Sequence, residues 1–195
     1  MREWGVTHVL DLRSKTELPR QTCRLSSQEW VRWENVPLYD FDLSSPTMVP
    51  VRDAGGYLTH GYLHMLSSQA ALRQAFAFFA SCPPSQCVLY HCAAGIDRTG
   101  VISMLLLGLA QVCRREIVAD YGCSFAEAGD IDRMLDEQGN PLRGRTTSTH
   151  LHTRLEVIGT VYDTVMETHG TVQAYLASCG IPANVIDAVR ARLLT

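Results

Sequence analysis

Residues 88 to 100 read Val88-Leu-Tyr-His-Cys-Ala-Ala-Gly-Ile-Asp-Arg-Thr-Gly100, and this stretch decides how the chain is read. Val88 to Tyr90 is an apolar run of the length of a buried strand. Val101, Ile102, Met104, Leu105, Leu106, Leu107 and Leu109 predict a buried helix behind Gly100. Between them, Cys92 and Arg98 stand six positions apart with Gly95 inside. A loop that rises from a strand and ends on a helix N-terminus gathers backbone N–H groups at one spot, where the helix dipole also favours negative charge. The loop is therefore expected to bind phosphate through Ala93, Ala94, Gly95, Ile96, Asp97 and Arg98. Cys-x5-Arg alone is a weak pattern, but none of the other six cysteines has an arginine six positions on. The specific signal is the conjunction with His91, Gly95, Thr99-Gly100 and the strand-then-helix context.

Each residue type suits a step of phosphoryl chemistry. A free thiol titrates near pH 8.5, whereas backbone donors and the Arg98 charge favour the thiolate, which makes Cys92 the expected nucleophile and a phosphocysteine the expected intermediate. Arg98 carries a planar fork that binds two phosphate oxygens at once, which lysine does not reproduce. Thr99 is expected to donate its hydroxyl to the Cys92 sulfur and to serve as the helix N-cap. His91 is expected to orient the loop. Gly95 and Gly100 suit close backbone approach and close helix packing. Asp97 is an acid beside an anion site, unfavourable unless it bonds to backbone or is protonated; it is read as a loop organiser, with an acid/base role as the alternative.

The decapeptide from His91 to Gly100 resembles the signature of the protein tyrosine phosphatase superfamily, His-Cys-x5-Arg-Ser/Thr-Gly. It is closest to that of the bacterial atypical tyrosine and phosphoinositide phosphatases, which carry His-Cys-x-Ala-Gly-Lys-Asp-Arg-Thr-Gly. The resemblance implies an α/β fold with a small central sheet flanked by helices and a helical C-terminal half, and phosphomonoester hydrolysis with no cofactor and no metal. Where the group has lysine this chain has Ile96, which turns the expectation away from inositides. Phosphotyrosine protein is the expected substrate, a small phosphorylated metabolite such as a nucleotide or sugar phosphate the alternative, and an inactive phosphate-binding module the second alternative.

The resemblance runs from Gly5 to Leu194. Val9-Leu-Asp-Leu-Arg-Ser14 with Glu17 matches the group's Val-Ile-Asp-Leu-Arg-Ser-x-x-Glu, while the Asn-Phe-Arg-Asp type segment that usually precedes it is missing, so the number of strands stays open. Val36-Pro-Leu-Tyr-Asp40 matches the strand-Pro-x-x-Asp pattern and implies Asp40 as general acid, with Asp42 next and Asp53 third. Such an acid commonly contributes roughly 10²- to 10⁴-fold to the rate. The ending His169-Gly170, Tyr175-Leu176 and Gly180-Ile181 follows the group's pattern with His169 in the place of tyrosine.

At 195 residues the chain is expected to form one domain, 1–195. A net charge of −3 gives no reason to expect a nucleic-acid partner. The apolar run after Gly100 stops at Arg114-Arg115, too short to span a membrane, and no signal peptide opens the chain. Seven cysteines without paired spacings fit a reducing cytoplasm, although relatives of the resembled group can be exported by routes that leave no such mark. Further strands are expected at Thr7–Leu12 and Glu34–Leu38. Helices are expected at Tyr57–Met65, Ser67–Ala80, Arg115–Tyr121, Ser124–Leu135, Leu151–Glu167, from Thr171, and at Ala183–Leu194. Ser14 to Glu17 reads as a capping box or a polar turn, and Asp11 with Arg13 as a structural pair near the sheet edge. Gly139 to Ser148, with Arg143 and Arg145, reads as a flexible loop.

Overall fold

The computed structural model describes residues 1–20, 22–39, 54–125 and 148–194. Its sheet has three parallel strands, β1 (Val6–Asp11), β2 (Arg32–Asn35) and β3 (Cys87–His91), in the order β2-β1-β3. β1 is the middle strand, and Val9 and Leu10 within it are fully buried, as an apolar run between two parallel neighbours requires. The chain leaves β1 on one side to form β2 and later forms β3 on the other. In open α/β sheets, the crevice beyond the C-terminal ends of the strands at such a switch is where ligands bind. Asp11 is in register with Asn35 on one side and His91 on the other, so the three strands end level at that crevice.

β2 begins earlier and stops earlier than the pattern predicted, because Pro37 has no N–H to give to a ladder. The amides of Val36 and Leu38 still bond back to Asp11 O (2.9 Å) and Leu12 O (3.4 Å). Asp11 and Arg13 do not lie at the sheet edge. They stand at the end of the central strand, 0% and 3% exposed.

Seven helices lie among the described residues: α1 (Ala54–Ser67), α2 (Gln69–Ser81), α3 (Asp97–Leu109), α4 (Arg114–Cys123), α5 (Ser148–His169), α6 (Val172–Ser178) and α7 (Ala183–Leu193). α3 buries Val101, Ile102, Met104, Leu105, Leu106 and Leu109. A helix apolar on every side belongs in the centre of the core, and α3 packs against β3, α1, α4, α5, α6 and α7. α5 ends at Gly170, whose φ of 75° and N–H bond to Met166 O (2.8 Å) form the left-handed stop that glycine permits. Of the helix expected at 124–135, only Ser124 and Phe125 fall among the described residues; the loop expected at 139–148 lies outside them up to Ser148, which opens α5. No helix among the described residues is long and apolar enough to cross a membrane.

One close approach ties α3 to α4. A Cβ on Gly100 would stand 2.6 Å from the Tyr121 ring. Gly100→Ala is therefore expected to lower stability by about 1–3 kcal/mol, the usual cost of overpacking a filled core, read as a shift in the urea unfolding midpoint.

Candidate active site

The candidate site is built where β3 hands over to α3. Cys92 follows the last strand residue and is 7% exposed, while Ala93, Ala94 and Gly95 are exposed. Gly95 has φ +70°, a conformation that strains any side chain. α3 starts at Asp97 with Ile96 before it and no side-chain cap. Among the described residues, no hydrogen bond uses the amide N–H groups of Ala93 to Arg98. Orphan donors at a helix start call for a side chain, water or ligand as partner, and the loop that carries these is exposed at Ala93 to Gly95.

Thr99 is not the N-cap, because the helix begins two residues earlier; its hydroxyl instead donates to the Cys92 sulfur at 3.3 Å. Ile96 packs against the core. Arg98 is held by an acid that sequence reasoning read only as a capping residue. Its Nη1 and Nη2 donate to Glu17 Oε2 (2.5 Å) and Oε1 (2.8 Å). The Ser14 amide donates to the same Oε2 at 2.7 Å, which is one half of a capping box, in a turn rather than at a helix start; the Glu17 amide donates to the Ser14 carbonyl and the Ser14 hydroxyl pairs with that of Thr16. Burial pushes the Glu17 carboxyl up, but its bonds to Arg98 and Ser14 outweigh this and bring it down to about 2. Burial likewise opposes the Arg98 charge, and Glu17 and the Cys92 sulfur more than restore it.

Beneath the loop, Arg13 donates from Nε and Nη2 to Asp11 Oδ1 (2.9 Å) and Oδ2 (2.6 Å), and Asn35 Nδ2 bonds the carbonyl oxygens of Asp11 and Arg13, both at 2.9 Å. His91 Nδ1 lies 3.0 Å from Cys92 O. A carbonyl only accepts, so this nitrogen carries the proton. His91 Nε2 is 3.7 Å from Asp11 Oδ2. Asp11, Cys23 and His91 bring one potential metal ligand atom each within 4.8 Å of one another. The Asp11 carboxylate in that trio is already engaged by Arg13.

Asp97 is satisfied by side chains of distant segments rather than by backbone. Its Oδ1 accepts from Arg154 Nη1 (2.6 Å) and from the Tyr62 hydroxyl (2.5 Å), which is 2.6 Å from the Tyr121 hydroxyl. Burial first, and the Asp97 charge second, push both phenols up, so both are neutral donors. Tyr62 thus belongs to the loop's support, while His64 packs edge-on against Tyr39 (centroids 5.3 Å). Asp40, Asp42 and Asp53, and Arg143 and Arg145, lie outside the described residues.

The sequence model of the tyrosine phosphatase family matches residues 1–195. The chain belongs to the tyrosine phosphatase family. It is 30% identical over 200 residues to a tyrosine-protein phosphatase of Nostoc commune, a match covering 97% of this chain and 66% of that protein. It is 30% identical over 140 residues to the triple specificity protein phosphatase PtpB of Mycobacterium tuberculosis, covering 65% of this chain and 50% of that one. The matches therefore span from half to about two thirds of these relatives' lengths.

Glu17 titrates differently folded and unfolded, and the sign of its effect follows. A depressed carboxyl contributes stability that is complete above its unfolded value, about 4.5, and is lost as pH falls toward about 2. Glu17→Gln is expected to lower stability at neutral pH by about 1–3 kcal/mol, discounted for the partial exposure of the pair. The gap to the unmodified protein should narrow below pH ~4.5 in urea midpoints taken from pH 7 downward.

Proposed function

We propose that this chain hydrolyses phosphomonoesters through a phosphocysteine, with phosphotyrosine protein as substrate. One observation carries the reading: a cysteine sulfur bonded by a threonine hydroxyl, at the mouth of unused amides, beside an arginine aligned by a carboxylate. Family membership supports it, as do the names of the two relatives. The chain is read as one domain, acting in a reducing compartment that suits its seven free thiols.

The Cys92 thiolate attacks phosphorus as the ester P–O bond breaks. The leaving oxygen takes its proton from Asp40, the acid assigned from sequence. Arg98 and the amides of Ala93 to Arg98 carry the charge on the equatorial oxygens, which preorganised donors stabilise without reorganising. Water then attacks phospho-Cys92, giving up a proton to the Asp40 carboxylate and releasing inorganic phosphate. Thr99 donates to the departing sulfur. A single phosphate suits the loop better than a polyphosphorylated headgroup, since Ile96 adds no second cation to it.

Cys92→Ser is expected to abolish hydrolysis of p-nitrophenyl phosphate while inorganic phosphate still binds; residual activity at the original rate would remove Cys92 as nucleophile. Asp40→Asn is expected to slow esters with poor leaving groups by about 10²-fold or more and good ones far less. Equal losses across leaving groups would move the acid to Asp42 or Asp97. A panel of phosphotyrosine peptides, nucleotides, sugar phosphates and inositides decides the substrate, and preference for a small metabolite would replace the protein assignment.

A further inference from the structure

Asp97 places a carboxylate in the first turn of α3, next to Arg98 and inside the loop proposed to receive a phosphate dianion. Left alone, that charge would oppose the substrate and partly neutralise Arg98. The structure answers it from far along the chain. Arg154, on α5, crosses to Asp97 Oδ1 at 2.6 Å, its side chain 19% exposed and its guanidinium over the Phe125 ring at 5.6 Å. Burial works against the Arg154 charge, and Asp97 more than compensates, keeping it a full cation. Tyr62, 2% exposed, adds a neutral donor to the same oxygen, with Tyr121 behind it. Neither tyrosine supplies charge, so among these partners only the arginine can cancel the carboxylate.

We infer that Arg154 is a positioning residue that acts through Asp97, cancelling its charge and fixing its side chain so that the phosphate loop stays electropositive. This rests on the phosphatase reading above. It assigns a role in anion binding to a residue outside the loop motif, 57 positions along the chain from Asp97.

Charge cancellation and simple pinning predict opposite effects for removing the Asp97 carboxylate. The inhibition constant for inorganic phosphate, together with kcat and KM for p-nitrophenyl phosphate, would be measured on the full chain, on Arg154→Gln, Arg154→Lys and Asp97→Asn, and on the Arg154→Gln/Asp97→Asn double variant. Arg154→Gln is expected to weaken phosphate binding about ten-fold and to raise KM in parallel, with a smaller loss at high salt. Arg154→Lys should recover most of that loss, because the charge returns. Asp97→Asn alone should bind phosphate at least as tightly as the unmodified protein, and the double variant should lie within about two-fold of it. Such recovery cannot come from misfolding, and thermal unfolding of each variant checks this separately. If Asp97→Asn and the double variant are as impaired as Arg154→Gln, the contact is only a structural pin and the inference falls while the phosphatase reading stands. If the unmodified protein neither hydrolyses p-nitrophenyl phosphate nor binds phosphate, the reading falls and takes this inference with it.

Discussion

The candidate site depends on a guanidinium being held flat at the mouth of a loop, and two oxygens of Glu17 hold it. An arginine side chain free to rotate would lose much of its advantage over lysine, because a bidentate grip requires the fork to be aimed before the ligand arrives. The pair uses one N–H from each Nη of Arg98. A guanidinium has five donors, so Arg98 keeps N–H groups beyond the two that Glu17 takes, and the Cys92 sulfur lies within their reach. Glu17 is itself fixed by the Ser14 amide, which makes the turn after β1 part of the candidate site.

That turn is anchored in turn by the end of the central strand. Arg13 and Asp11 form an ion pair that is almost entirely out of water, and such a pair is poor evidence for stability, since desolvation offsets most of the attraction. Its worth here is geometric. Asn35 ties the carbonyl groups on either side of Leu12, and the Leu12 amide bonds His91 O at 2.8 Å, so the β1 turn and the residue before Cys92 move as one piece. Above them α3, buried on all sides, fixes where its own N-terminus points. The loop that Cys92 opens is thus suspended between the strand end and the helix start, and Ala93 to Gly95 are exposed.

The strand, loop and helix around Cys92 were legible in sequence because their signals are local: an apolar run, glycine where φ is positive, and spacing that brings Cys92 and Arg98 to one place. What was not legible depends on distant segments. Glu17 carries the right spacing from Ser14, but nothing local says that its carboxylate turns toward a residue 81 positions on. Arg154 lies in a periodic helix with no motif. β1 was expected with Asp11 and Arg13 near an edge because strand order depends on pairings that periodicity does not encode. Thr99 looked like a helix cap because Thr is a preferred capping residue; the helix starts earlier, at Asp97 behind Ile96, whose apolar side chain cannot cap it.

The two ion pairs also explain how a loop rich in potential conflict stays suited to an anion. Glu17 and Asp97 both lie beside the place proposed for phosphate, and each is neutralised by an arginine rather than by burial alone. Glu17 engages Arg98 directly, so part of the Arg98 charge is spent before any ligand arrives; Asp97 is paired with Arg154, which also reaches Tyr121. With both acids answered and Ile96 contributing no charge, the attraction among the described residues comes from the remaining Arg98 donors, the loop amides and the α3 dipole. Amides and dipole carry partial charges and act only within the first turn, so they favour one compact dianion lodged at the helix start over an extended polyanion.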